Sequence, residues 1–567
     1  MRAALKKSLM LFAFIFCFLP FQAFASQTVY KTLEEIPVQH GGRIKPFQSF
    51  AREAALQVTG GSSFDGIPAS ELVWRWIAQP EEWNSRAMIQ VPRMLRDDFR
   101  VMAVKGRISS EIILQHEPFR QKLEAAWNKR QKKETLTPLD KKCLELYDRA
   151  NLFHMIAAGE IPGWIANPDD PRAGWLPLRG FSAEPGQKTI AQFYPEPRVH
   201  EVQNSLSELI QTLRESSPEA AAKVVSFRGA LSRLLESRGV FLNSQILRFE
   251  LAYNRLQPFS WAWKGYFLTA LFLGLALTLS KWTGPAQKII PAAAIGFLAA
   301  SFLMHLMGFV LRCLIAGRPP VTNMYESIIW VSWAAVFFSI ILFAVYRTYL
   351  IPLTSSLVAC FALIIAESFP AVLDPAIAPL VPVLRSNLWL SVHVLTITMS
   401  YGAFALAWGL GHAVVIGYVR RPFHAESCLR LSSYLYRALQ IGVILLATGT
   451  VLGGVWANYS WGRFWGWDPK ETWALIALLG YLVVLHGRFS GWLDSFGAAV
   501  GSVIAFSGVV MAWYGVNFVL AAGLHSYGFG GGGAPYVIGV ALADIILILA
   551  LSAVYRRKVS RPVVQTY

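Results

Sequence analysis

The sequence predicts an all-α polytopic membrane protein with an N-terminal, mostly helical extracytoplasmic domain. Three observations lead there. The 567 residues are 54% hydrophobic with a mean hydropathy of +0.40, too apolar for a water-soluble globule. From Trp261 onward nine apolar runs approach or exceed the ~20 residues a bilayer needs. They cover 261–280, 290–315, 324–345, 348–366, 388–418, 438–456, 472–490, 497–519 and 536–555. Basic residues are also spread unevenly over the connecting loops. Predicted inner loops hold twelve, among them Arg347, Arg420, Arg556 and Lys558. Predicted outer loops hold five: Arg312, Arg318, Arg385, Arg463 and Lys470. The positive-inside rule therefore puts the loop near residue 465 outside, together with residues 26–258.

The chain opens with Arg2, Lys6 and Lys7, an apolar run Leu9–Leu19 and Ala23-Phe24-Ala25. This is the pattern of a signal peptide cleaved after Ala25, with an uncleaved N-terminal anchor (1–25) as the alternative. Residues 26–258 are polar, with charge runs such as Lys129–Lys133 and the turn cluster Asn167–Pro171. Glu201–Glu215 and Glu219–Arg238 have the spacing of amphipathic helices. Gln39–Phe47 is expected to be a loop with a turn, followed by a helix over Ser49–Val58. His116, His154 and His200 have no spaced partners and are read as surface or packing residues. A linking transmembrane helix follows at 261–280, then a transmembrane domain at 288–556 and a cytoplasmic tail at 557–567.

Composition excludes several functions. The net charge of +17 is accounted for by topology, so no nucleic-acid partner is expected. The five cysteines form no CxxC and no CxxCH, which argues against a disulfide scaffold, a zinc site or covalent haem on this chain.

Trp461-Gly-Arg-Phe-Trp465-Gly-Trp467-Asp-Pro-Lys-Glu-Thr-Trp473 packs four Trp and one Phe beside four charges between two apolar runs. An interfacial aromatic belt is one reading; so dense a cluster also suits a large flat ligand. Asp468 and Glu471, with Pro469 between them, suit a helix start. His393 and His525 fall on the same predicted face as this loop. Two imidazoles across a gap can hold haem iron from both sides, although either alone could be an interfacial histidine. His305 lies about 18 Å from Gly317, and His486 about 20 Å from Thr472, at ~1.5 Å per residue. Ionisable groups at such depth are functional candidates, with unrelated packing histidines as the alternative. His412 and His424 are read as structural. Arg318 and Asn323, in the loop Gly317–Ser327, could meet a propionate or a partner chain, or could simply form a polar turn. No second helix repeats the nineteen-residue spacing of His393 and His412, which disfavours a two-haem electron wire.

These residues carry a resemblance. Trp461-Gly-x-x-Trp465-x-Trp467-Asp468-x-Lys470-Glu471-Thr472-Trp473 resembles the tryptophan-rich "WWD" signature of a haem-handling superfamily. With Leu485-His486-x-Arg488, Gly317-Arg318-Pro-Pro and Leu524-His525-Ser-Tyr-Gly-Phe529, the match over residues 288–556 is similar to the CcsA/ResC branch. The resemblance implies that His393 and His525 are external axial ligands of b-type haem beside the Trp loop. It implies that His305 and His486 bind haem within the membrane, and that Trp461, Trp465, Trp467 and Trp473 are haem contacts. It implies attachment of haem through thioether bonds to CxxCH of apocytochrome c, a haem lyase role, on the periplasmic side of a bacterial cytoplasmic membrane. Gly42-Arg43-x-Lys45-Pro46 is similar to part of the periplasmic region of fused CcsB–CcsA proteins. The membrane spans of CcsB are missing, so a separate CcsB/ResB-like partner is expected, and a thiol-reducing partner is compatible. A haem exporter without attachment activity and a b-type electron-transfer subunit are the competing classes.

Overall fold

The computed structural model describes residues 28–560, except 168, 171–173, 183, 216, 218, 241–243, 279–284, 371, 380–386, 421–424 and 521–532. The signal-like segment, His424 and His525 lie outside the described residues. The chain divides into two compact units, the first ending at Arg255 and the second starting at Leu256.

The first unit is mostly helical around a Trp-rich core. Trp74, Trp76, Trp83 and Trp164 are fully buried. Trp74 lies 5.6 Å from the Phe47 ring and 5.5 Å from the Trp164 ring. A small four-stranded sheet has the order β2-β1-β3-β4, where β1 is Pro37–His40, β2 Arg43–Pro46, β3 Gly163–Ile165 and β4 Leu176–Pro177. The stretch expected to be a loop is thus a hairpin. Gly41 (φ +62°) and Gly42 (φ +78°) make its two-residue turn, a conformation in which side chains with a Cβ are disfavoured. The helix after it begins at Phe47, two residues earlier than expected. Arg43 makes a bidentate pair with Glu250 at 2.7 Å, and Lys45 reaches Glu53 at 2.5 Å. His154 bonds Ser110 Oγ at 2.7 Å, and burial pushes its pKa below the ordinary value.

The helix Pro138–Ala157 starts with a capping box. Thr137 Oγ1 accepts from Asp140 N, and Asp140 Oδ2 accepts from Thr137 N at 2.8 Å. Hydrogen bonds from Lys129 and Thr137 hold the Asp140 pKa down to about 2. A depressed carboxylate stabilises the fold fully above its unfolded pKa of about 3.9, and that contribution is lost as pH falls toward 2. Asp140→Asn is therefore expected to flatten the fall in melting temperature between pH 4 and pH 2, measured on the full chain in detergent. An unchanged acid slope would contradict this.

In the second unit, helix α1 is Pro258–Thr278, α2 Ala286–Ala316, α3 Met324–Tyr346, α4 Leu350–Ser368, α5 Leu395–Arg420, α6 Ala425–Trp461, α7 Pro469–Phe489, α8 Ser495–Val510 and α9 Ala534–Ser560. Among the described residues, eight helices are long and apolar enough to cross a membrane, and this is a polytopic α-helical membrane protein. The first of the nine predicted runs forms α1 but is not among the eight. Lys264 and the polar aromatics Trp261, Trp263 and Tyr266 dilute its N-terminal half. It still packs against α2 and α4. The span predicted at 438–456 is a 37-residue helix, so Arg430 and Arg437 sit on α6 and not in a loop. Arg312 likewise is fully buried within α2.

Sequence explains the helix ends. Gly317, at φ +66°, terminates α2 in the left-handed region. Asn323 caps α3 by accepting from Glu326 N at 2.8 Å. Asp494 caps α8 by accepting from Gly497 N at 2.6 Å. At the centre of the bundle Phe404 of α5 stacks on Tyr481 of α7, centroids 3.8 Å apart and rings 2° from parallel.

Candidate functional site

The Trp loop joins α6 to α7. Asp468 and Glu471 do form a capping box: Asp468 Oδ1 accepts from Lys470 N at 3.0 Å, and Glu471 Oε2 accepts from Asp468 N at 3.2 Å. Glu471 also accepts from Gly466 N at 2.8 Å and lies 3.6 Å from Arg463. These bonds fix the loop backbone. Trp467, at φ +55°, is 69% exposed, and Phe464 is 49% exposed. Trp465 and Trp467 meet edge to face at 5.8 Å. Trp461 and Trp473 are half-buried at the two helix ends.

His393 lies in a π-helical turn, Leu390–Val394, that leads into α5. Such turns recur at functional sites because they aim a side chain off the regular helical spacing. Its Nδ1–H donates to the Gly449 carbonyl of α6 at 2.8 Å, which fixes the tautomer and puts the lone pair on Nε2. The ring lies against Gly453, where a Cβ would come within 2.6 Å of His393 Cε1. Trp456 meets it edge-on at 5.6 Å. The next residue, Gly454, carries the Phe464 ring of the Trp loop, with a Cβ-to-ring distance of 2.6 Å. Adjacent glycines of α6 thus seat His393 and the loop side by side. Trp330, Trp389 and Val321 complete an apolar cluster around Trp456.

A second π-helical stretch, Met511–Leu520, continues α8 and precedes the segment that contains His525. Its Asn517 accepts from Lys470 Nζ at 3.1 Å, and its Trp513 indole donates to Ser327 Oγ at 2.8 Å. The Trp loop, the start of α3 and the π-helical stretch are thereby joined.

The two deeper histidines are not brought together. His305 is fully buried; its Nε2 donates to the Ile329 carbonyl at 3.0 Å, and its Nδ1 faces the Tyr266 hydroxyl at 3.3 Å. His486 is in the last turn of α7, exposed, with Nδ1 bonded to the Leu482 carbonyl at 2.8 Å. Helix α2 packs on α1 and α3, whereas α7 packs on α6 and α8.

Comparison with known proteins connects this geometry to a family. Residues 321–525 match the family model described as cytochrome C assembly protein. The chain is 28% identical over 532 residues to Protein NrfI of Wolinella succinogenes, covering 89% of this chain and 55% of NrfI. It is 35% identical over 293 residues to the cytochrome c biogenesis protein CcsA of Parasynechococcus marenigrum, covering 46% of this chain and 93% of that protein. With CcsA of Synechococcus sp. strain CC9311 the identity is 34% over 302 residues, covering 47% of this chain and 97% of that protein. The chain belongs to the CcsA-type cytochrome c assembly family. It spans about half the length of NrfI, in a match that takes in the N-terminal unit, and nearly the whole length of the CcsA proteins.

Within this CcsA-type protein the matched region begins beside an ion cluster that sequence reasoning did not find. Glu326 bonds Arg312 at 2.7 Å and Arg318 at 3.4 Å, and accepts from Thr322 N at 2.9 Å and Thr322 Oγ1 at 2.7 Å. Arg318 also donates to the Ala378 carbonyl at 2.6 Å, Arg312 to Pro375 at 3.0 Å and Asn323 to Asp374 at 3.3 Å. Arg318 and Asn323, candidates for a propionate or a partner chain, are committed within the fold. The available signal was an acid and an arginine, Arg312, set into apolar runs.

Proposed function

We propose that this CcsA-type protein presents haem at the Trp-loop end of the bundle, on the outer face of a bacterial cytoplasmic membrane, for thioether attachment to CxxCH of apocytochrome c. Haem is the substrate, held between His393 and His525, with the Trp-loop aromatics against its ring. The observation that carries this reading is the seating of His393 and Phe464 on neighbouring glycines, with Nε2 as the lone-pair nitrogen. A carbonyl partner at Nδ1 orients a ligating imidazole and raises its basicity. The exposed Trp467 ring, on a loop backbone fixed by Glu471, offers a flat apolar face. In the reaction each cysteine S–H adds across one vinyl C=C; a C–S and a C–H bond form, and nothing leaves. The protein's part is to position the reacting groups. His305 and His486 enter the proposal only as separate groups, because their observed bonds do not make one site. A CcsB/ResB-like membrane protein is the proposed partner.

The test co-produces the full chain and its partner with a CxxCH apocytochrome in cells lacking other assembly systems. Haem that stays on the cytochrome in a denaturing gel supports attachment. Haem bound to this chain with none transferred would favour an exporter. A haem that a quinol analogue reduces would favour electron transfer. Gly453→Ala places a methyl against the His393 ring and is expected to lower co-purified haem about tenfold, as outer-shell changes at metal ligands do. Gly480→Ala meets only Ala505, at 3.9 Å, and should leave haem content unchanged. Equal haem in the two variants would remove Gly453 from the site.

A further inference from the structure

The first unit gathers its exposed apolar side chains on one loop. Among its described residues eight large apolar side chains are exposed, and four of them, Met94, Val101, Met102 and Val104, fall within eleven residues. Val101 is 96% exposed and Val104 62%. Single exposed apolar residues are normal on a protein surface, but a run of them on one loop is not. Arg93, Arg96, Arg100 and Lys105 are interleaved with them and are exposed as well. Of the two acids in this stretch, Asp98 is neutralised by Lys122, whose ammonium reaches both its oxygens at 2.8 Å. Only Asp97 then stands against four basic residues, and positive charge dominates the loop.

The backbone holds this loop in one shape. Its base is closed by antiparallel pairing of Ile89–Gln90 with Arg107–Ile108, and Val91 N donates to the Gly106 carbonyl at 3.0 Å. Leu95 and Phe99 are fully buried and root it; the Phe99 ring lies 4.7 Å from His116 and 5.5 Å from Phe119. Val104 and Arg107 exchange both backbone hydrogen bonds, at 2.8 and 3.0 Å, around Lys105 (φ +52°) and Gly106 (φ +76°). This is a tight two-residue turn with both central residues in the left-handed region. Binding through the exposed side chains would therefore order little further backbone.

Apolar side chains interleaved with arginine and lysine suit the headgroup layer of an anionic bilayer. The apolar groups reach the acyl boundary, and the long basic side chains keep their charge among the phosphates. We propose that residues 93–105 are a second membrane foothold, through which the first unit rests on anionic lipid. The first foothold is covalent, since the unit ends at Arg255 and the membrane unit begins with the next residue. A tethered unit meets the bilayer at high effective concentration, so a contact too weak to bind a free domain is enough to hold this one. A protein partner is the less suited occupant. Protein hot spots favour aromatic anchors, and the exposed apolar residues here are valine and methionine. The inference is independent of where haem binds.

The test uses the full chain in nanodiscs of phosphatidylcholine, with and without phosphatidylglycerol. One spin label is placed at Met102→Cys, which leaves Val101 and Val104 intact. A second is placed at Val225→Cys, an exposed position on the helix Ala220–Glu236. The unsubstituted chain, labelled alike, gives the background from its own cysteines. Collision with a water-soluble nickel chelate, and with oxygen that concentrates in the acyl layer, reports depth. With phosphatidylglycerol present, the label at 102 is expected to be at least about fivefold less accessible to nickel than the label at 225, the worth of one basic residue at an anionic surface. It should also be more accessible to oxygen. Arg96→Glu with Arg100→Glu, or Val101→Asp with Val104→Asp, should return it to the level of 225. All four side chains are exposed, so both double variants should keep the wild-type melting temperature. Equal nickel accessibility at 102 and 225 in the otherwise unchanged chain would overturn the proposal. Protection at 102 that neither double variant relieves would overturn it too, because protein contact would then be its source. So would protection as strong without phosphatidylglycerol, because charge would then play no part.

Discussion

His393→Ala is expected to abolish covalent haem attachment and to lower the haem that co-purifies with the full chain by at least about tenfold. The ring is more than a side chain at a helix start. Its Nδ1–H is tied to the Gly449 carbonyl, its face lies on Gly453 and its edge meets Trp456. Alanine removes the nitrogen that would meet iron and leaves a gap between α5 and α6. The variant's fold should persist, because α5 and α6 pack along most of their lengths below this point. Haem-stained cytochrome and the absorption ratio of the purified protein check the outcome. Normal haem-bearing cytochrome in this variant would sink the site assignment. His305→Ala should behave differently. Its ring bonds Tyr266 and Ile329 inside a packed cluster, so the change is expected to cost stability first.

Glu326→Ala is expected to be among the most destabilising single changes in the membrane unit, by about 3–5 kcal/mol, the usual cost of stripping one partner from a buried ion pair. Arg312 and Glu326 are 0% and 1% exposed, and Arg318 is nearly as buried. Without the carboxylate two guanidinium groups lose their counter-charge, and Thr322 loses an acceptor for both its amide and its hydroxyl. The damage should reach the segment around Pro375–Ala378, which is pinned by the same arginines. Glu326→Gln keeps one acceptor oxygen and should fall between wild type and Glu326→Ala. Heat-induced aggregation in detergent ranks the three; an Ala variant as robust as wild type would show that the cluster contributes little.

Much of this was legible because hydrocarbon allows few arrangements. Long apolar runs have to be helices, and eight of the nine predicted spans meet the membrane criterion. The start of α7 was legible too, since Asp-Pro-x-Glu is a local cap that needs no distant partner. What escaped depends on contacts between separated segments. Nothing local in Arg312, Glu326 and Arg318 says that they meet. The bond of His412 to Asp544 spans 132 residues of sequence. The depth match of His305 and His486 came from counting along helices, which leaves open the direction in which each side chain points. The hairpin around Gly41-Gly42 is local by contrast, but its strands are only four residues each and mix polar with apolar side chains.

The length of α6 has a consequence for where the site rests. At ~1.5 Å per residue its 37 residues run about 55 Å, well beyond a hydrocarbon thickness of about 30 Å. Arg437 and Trp461 are the natural interfacial anchors, and the helix between them is about 36 Å long. With the guanidinium held among phosphates on one side, Trp461 falls in the headgroup layer on the other. The aromatic loop is then moored at the lipid–water boundary and not lifted into solvent. A flat amphiphile could reach it edgewise along the membrane surface, and an extended polypeptide from the water above. Bilayer thickness would then set how far the mooring stands out toward each.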